Sequence, residues 1–202
     1  EILRCLVGSE MCIRDSTSPL YKESDFNFDG IALVKGTNAD TYMMGLSEEN
    51  FTNTNKNFAK VTFHVIDGSL VIEKRNLVLT SASAQKVYNG TELTAKDVTV
   101  SGDGFVKGEG ASYDVTGTQT TVGDSENTFT YKLNENTNAD NYTIETKNGS
   151  LLVTPVTDQV VVTLKENSGT EVYDGTEKTV TGYTVADISN KLYTDKDFTF
   201  TG

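Results

Sequence analysis

Val87-Tyr88-Asn89-Gly90-Thr91-Glu92 returns 85 positions later (172 − 87) as Val172-Tyr173-Asp174-Gly175-Thr176-Glu177. Each copy centres on an Asx-Gly pair. Asn, Asp and Gly are turn formers, so each copy reads as a tight turn of the same design. A second echo joins the two ends of the chain. Leu20-Tyr21 with Asp25-Phe26-Asn27-Phe28 and Gly30 reappears as Leu192-Tyr193 with Asp197-Phe198-Thr199-Phe200 and Gly202. Asn38-Ala39-Asp40-Thr41-Tyr42 is matched by Asn138-Ala139-Asp140-Asn141-Tyr142, and Asp67-Gly68-Ser69-Leu70 by Asn148-Gly149-Ser150-Leu151. Motifs recurring in a fixed order mark a tandem array with a period of about 80 to 86 residues, which is enough for a small domain with its own core.

The intervals within the copies differ. Asn38 to Gly68 spans 30 positions (68 − 38), whereas Asn138 to Gly149 spans 11 (149 − 138). The first copy therefore carries extra residues over Gly45 to Phe63, which are expected in a loop or an added hairpin. On this reading residues 75–155 are one complete β repeat, 17–74 the C-terminal part of another, and 156–202 the N-terminal part of the next. The junctions at Ile72 to Leu77 and Thr154 to Val156 are short, so neighbouring repeats are expected to be joined with limited freedom.

Residues 1–16 match nothing in the repeats. The run Cys5-Leu6-Val7-Gly8-Ser9-Glu10-Met11-Cys12-Ile13-Arg14-Asp15-Ser16 resembles a translated sequencing-adaptor read-through and is read as foreign to the natural protein. It is a poor signal peptide, because Ser9, Glu10 and Arg14 interrupt any apolar stretch. Both cysteines fall inside it, so the remaining 186 residues (202 − 16) have none. A cysteine-free chain is compatible with export.

A formal net charge of −12 argues against a nucleic-acid partner, which requires clustered Lys and Arg. No run approaches the ~20 apolar residues that span a bilayer as a helix, so no membrane insertion is expected from this stretch. Hydrophobic residues make up 36% of the chain and occur in short alternations, the composition of small β domains with one wet face per strand. Lys60 to Ile66 places Val61, Phe63 and Val65 on one face, and Asp67-Gly68 is read as a hairpin turn into Ser69 to Ile72. Asn148-Gly149 is read in the same way between Asn141 to Thr146 and Ser150 to Thr154. Further strands are expected over 76–81, 97–101, 112–116, 128–133, 159–164 and 178–185. At most one short helical turn fits within 186–195. The fold class is therefore all-β, in tandem small domains of either an immunoglobulin-like sandwich or a β-grasp-like sheet.

Residues for chemistry are scarce. His64 is the only histidine, and the repeats hold no cysteine, so zinc sites and Ser/His or Cys/His nucleophiles lack their parts. The acidic loops 101–104 and 134–140 offer oxygen ligands of the type calcium takes, but without the spacing of a helix-loop-helix calcium loop. Asn, Asp and Gly between strands are more simply turn formers. Lys74, Lys132 and Lys178 near Asn and Asp could supply a covalent Lys-Asx crosslink, although no spacing singles out a trio. Tyr88 and Tyr173 are the candidate ligand-binding residues, since aromatic faces stack on sugar rings; the competing expectation is that each packs on its own hairpin or on a neighbouring unit. No catalytic, metal or cofactor-binding residue is expected.

The Tyr88-Asn89-Gly90-Thr91 and Tyr173-Asp174-Gly175-Thr176 motifs, with Asn-Ala-Asp-x-Tyr and Gly-Ser-Leu-x-Val following, resemble the YDG or MBG-type repeats of large bacterial surface proteins. The resemblance covers residues 17–202. It implies tandem β domains in the stalk of a secreted, wall-attached adhesin, outside the cell and without catalytic residues. As an alternative, the repeats would themselves bind mucin glycans or extracellular matrix proteins.

Overall fold

The computed structural model describes residues 20–201. The stretch 1–16, both cysteines and Gly202 lie outside them. Four strands fall within residues 20–74: β1 (Phe26–Phe28), β2 (Asp40–Met43), β3 (Phe51–Asn53) and β4 (Ser69–Ile72). Eight follow: β5 (Arg75–Ser81), β6 (Ala84–Val87), β7 (Val98–Gly102), β8 (Ala111–Val115), β9 (Gly123–Asn127), β10 (Phe129–Leu133), β11 (Tyr142–Lys147) and β12 (Gly149–Thr154). The last two are β13 (Val162–Glu166) and β14 (Tyr183–Ile188). The only helical elements among the described residues are three single 3-10 turns, at Glu23–Asp25, Glu48–Asn50 and Ala139–Asn141. The class is all-β.

The strands make small sheets: β1-β3, β2-β4, β11-β5-β7, β6-β12-β9, β10-β8 and β13-β14. Every one of these pairings stays within 20–74, 75–155 or 156–201. By spatial contact the described residues divide into two compact units, one made of residues 20–79, 100–112 and 132–146, the other of 80–99, 113–131 and 147–201.

In the first unit, Leu46 and Phe51 are buried, with Phe26, Ala32, Met44, Phe63 and Val65 packed around them. Phe51 meets Phe26 at 5.9 Å, Phe63 at 5.6 Å and Phe28 at 5.2 Å between ring centroids. The extra residues 45–63 are thus the source of this core: β3 pairs antiparallel with β1, with Phe51 opposite Phe28. Leu77 and Leu79 alternate on β5 and are fully buried, as period-two spacing requires. Tyr142 is buried edge-on to Phe105 at 5.3 Å, and its hydroxyl bonds the Glu109 carboxylate and accepts from Val106 N at 3.1 Å. Burial, followed by the Glu109 bond, raises its pKa above the ordinary 10.0.

In the second unit, Leu151 and Val153 of β12 are fully buried with Leu93, and Ala84, Tyr88 and Ala95 pack on them. β12 is the central strand: it runs parallel to β6, with Leu151 opposite Ala84, and antiparallel to β9. A buried polar hub stands beside it. Asn127 is completely enclosed and donates from Nδ2 to Ala82 O at 2.8 Å and Ala95 O at 2.7 Å. Ser81 Oγ donates to Asn127 O at 2.5 Å and accepts from Gly149 N at 2.9 Å.

Both expected hairpins are corrected. Residues 60–66 form no strand, and β4 pairs with β2; the alternation itself is right, because Phe63 and Val65 pack on the core while His64 is exposed. β11 and β12 follow one another but belong to different sheets. Neither Gly68 nor Gly149 has a positive φ, so neither makes the tight turn assigned to it. A Cβ on Gly149 would stand 2.5 Å from Ser81 O and from Ala82 O, so glycine is needed there to let two backbones approach. The Asp67 carboxylate instead accepts from Gly45 N at 2.9 Å and Leu46 N at 3.0 Å, and Gly68 O accepts from Met44 N. Residues 186–188 continue β14 and are not helical.

Candidate functional site

The Val-Tyr-Asx-Gly-Thr turns are built alike. Gly90 has φ +76° and Gly175 φ +77°. Asn89 Oδ1 accepts from Thr91 N at 3.1 Å and from Thr91 Oγ1 at 2.8 Å. Asp174 Oδ1 accepts from Thr176 N at 3.0 Å and from Thr176 Oγ1 at 2.6 Å. Threonine is therefore the second half of an Asx turn, which explains why it recurs with the Asx-Gly pair. A lysine reaches the same side chain in both, from opposite directions: Lys86 Nζ lies 2.9 Å from Asn89 Oδ1, and Lys178 Nζ 2.7 Å from Asp174 Oδ2. Lys178, then Thr176, hold the Asp174 carboxyl below its ordinary 3.8.

The end echoes agree with equal closeness. Tyr21 Oη donates to Asp25 O at 3.1 Å and Tyr193 Oη to Asp197 O at 3.0 Å. Asp25 Oδ2 accepts from Lys22 N at 2.8 Å, and Asp197 Oδ2 accepts from Thr194 N at 2.7 Å. The Asp197 carboxyl is lowered by that backbone bond first and by the Thr194 hydroxyl second.

The two candidate tyrosines part company. Tyr88 is half-buried on Leu93, Leu151 and Val153, whereas Tyr173 is 91% exposed. Tyr88 is thus a packing residue, and only Tyr173 offers a free ring face.

Other candidates are placed as follows. His64 is exposed. In the 101–104 loop, Arg75 donates to the carbonyls of Asp103 and Gly104, and the Asp103 carboxylate accepts from Asn76 N at 2.8 Å. The Arg75 guanidinium thus holds two of this loop's carbonyls. In 134–140, Asp140 N donates to Asn138 Oδ1 at 3.0 Å and Asn136 bonds Gly108 O, so the loop's side chains cap and tether the backbone. Among the described residues no three His, Cys, Asp or Glu side chains are grouped as metal ligands. Lys74, Lys132 and Lys178 are all exposed, without the enclosure that a Lys-Asx crosslink requires. No helix among the described residues is long and apolar enough to cross a membrane.

Sequence reasoning missed Asn127, since Gly123 to Asn127 (Gly-Asp-Ser-Glu-Asn) has no apolar residue to announce a strand; a fully enclosed Asn in β9 is visible only once β12 is placed beside it. No family model, curated protein or solved structure matches this chain.

Proposed function

We propose that the chain is a run of non-catalytic β repeats from the stalk of a secreted bacterial surface protein, spacing an adhesive region away from the cell. The observation that carries this reading is the repetition of one polar design, Tyr21 with Asp25 and Tyr193 with Asp197, in stretches whose side chains scaffold their own backbone. A shallow, open depression of about 290 Å³ lined by Ser83, Ala84, Gln85, Ser150 and Leu152 has none of the converging acids of a hydrolase. Stretching the whole chain between handles in a force spectrometer tests the stalk role. Discrete, reproducible unfolding events assigned to 75–155 support it, and featureless extension contradicts it.

The exposed Tyr173 ring favours a second reading, in which the repeats grip mucin glycans or matrix protein directly. Glycan-array binding by the full chain that disappears in Tyr173→Ala, with circular dichroism unchanged, would transfer the assignment to that reading.

A further inference from the structure

The dipeptide Asn-Gly occurs twice, at Asn89-Gly90 and Asn148-Gly149. It is a reactive pairing, because glycine has no Cβ to keep its nitrogen away from the preceding side-chain amide. The fold treats the two copies oppositely. Gly149 opens the central strand β12: its N donates to Ser81 Oγ at 2.9 Å, its backbone is pressed against Ser81 and Ala82, and Asn148 Nδ2 donates to the Glu126 carboxylate at 2.9 Å. Nucleophile and leaving group are both engaged there. Asn89 and Gly90 are exposed, and neither Gly90 N nor Asn89 Nδ2 has a hydrogen-bond partner among the described residues.

The other oxygen-side contacts at Asn89 point the same way. Asn89 Oδ1 accepts from Lys86 Nζ at 2.9 Å, Thr91 N at 3.1 Å and Thr91 Oγ1 at 2.8 Å. The bond from Thr91 N spans the Gly90 peptide, so the carboxamide is folded back over the nitrogen that lies between. Donors gathered on a carbonyl oxygen draw electrons from its carbon and stabilise the oxyanion that forms when the carbon is attacked. The turn at Asp174 shows that an aspartate fits the same frame: its Oδ1 accepts from Thr176 N at 3.0 Å and Thr176 Oγ1 at 2.6 Å, Gly175 has φ +77° against +76° at Gly90, and Lys178 Nζ stands 2.7 Å from Oδ2.

We propose that Asn89-Gly90 is a self-modifying site, at which the folded chain converts Asn89 to aspartyl or isoaspartyl through a cyclic imide while Asn148 is protected. Gly90 N attacks Asn89 Cγ and forms a C–N bond. The Cγ–Nδ2 bond breaks, and Nδ2 leaves as ammonia with the proton given up by Gly90 N. Water then opens the imide: addition at Cγ returns the ordinary main chain with an aspartate side chain, and addition at the main-chain carbonyl of residue 89 gives the isoaspartyl form. No oxidant or reductant takes part. The aspartyl product sets a carboxylate beside Lys86, the pairing already present between Asp174 and Lys178, and adds one negative charge to a chain of net charge −12. Lys86 and Thr91 serve the reaction by holding and polarising the Asn89 carbonyl.

Peptide mapping by mass spectrometry on the full chain, held in warm neutral buffer with and without denaturing urea, tests it. In the folded chain the exchange of NH2 for OH is expected to accumulate at Asn89 while Asn148 keeps its amide; in urea both sites should convert at comparable rates. That comparison needs no variant. Lys86→Met, with circular dichroism unchanged, should slow conversion at Asn89 several-fold in the folded chain and leave it unchanged in urea. An Asn89 that stays intact in the folded chain while converting in urea, equal conversion of Asn89 and Asn148 in the folded chain, or a folded Lys86→Met chain that converts Asn89 as fast as the parent would overturn the proposal.

Discussion

Asn141 is hydrogen-bonded to Asn38, so the two Asn-Ala-Asp-x-Tyr motifs touch one another: Asn141 Nδ2 donates to Asn38 Oδ1 at 3.1 Å, and Asn141 Oδ1 accepts from Ala39 N at 2.7 Å. The residue at the variable position of the second motif, Thr41 in the first, thereby ties the two motifs together within one compact unit. A net contribution of about 1 kcal/mol per hydrogen bond gives Asn141→Ala an expected loss of ~1–2 kcal/mol in chemical denaturation. Asn141→Asp keeps the acceptor for Ala39 and should lose only part of that; equal loss in both would contradict the assignment.

Asn127 has a larger expected effect. Asn127→Ala removes two donors from the half-buried carbonyls of Ala82 and Ala95, and losing the two bonds is expected to cost about 1–3 kcal/mol in all. Asn127→Leu should not rescue it, because a Cβ placed on Gly117 would already stand 2.4 Å from Asn127 Oδ1 and there is no slack for bulk. Thermal melts within experimental error of the parent would refute the polar hub.

The turn glycines separate strain from packing. Gly90→Ala and Gly175→Ala each force a non-glycine residue to positive φ, at about 1 kcal/mol. Gly90→Ala also places a Cβ 3.0 Å from Leu192 Cδ2, whereas Gly175→Ala meets open space. Gly90→Ala is therefore expected to destabilise more, and Leu192→Ala in the same chain should remove the difference.

Alkali should act through Tyr142. Its pKa is raised in the fold, so the stabilising contribution is fully present below the unfolded value of 10.0 and is lost as pH rises through the higher folded value. Tyr142→Phe should flatten the decline in stability above pH 10, leaving the part due to Tyr21 and Tyr113, which are also raised by burial. An unchanged slope in Tyr142→Phe would place the alkaline sensitivity elsewhere.

Faces were legible in the sequence, and partners were not. The strand expected over 76–81 is β5, and the face assigned to Phe63 and Val65 is the one that packs on the core, because side-chain period reports which residues share a face. The same alternation cannot state that β12 lies parallel to β6, a pairing of Leu151 with Ala84 across distant sequence. Gly68 and Gly149 invited the hairpin reading because Asp-Gly and Asn-Gly are turn formers; here the glycine at 149 serves close backbone approach instead. The Asx-Gly pairs were legible as turns, since their chemistry is local, whereas the difference between Tyr88 and Tyr173 was hidden because it depends on a strand elsewhere in the chain.

Residue-resolved amide hydrogen exchange on the dilute full chain tests the central claim, that equivalent sequences become ordered only where a Gly-Ser-Leu-x-Val strand lies beside them. Amides of residues 84–88 should exchange slowly, with Tyr88 held by Thr154, and those of 169–173 rapidly, although the two stretches precede the same turn. Equal protection of both stretches in dilute solution would contradict the account.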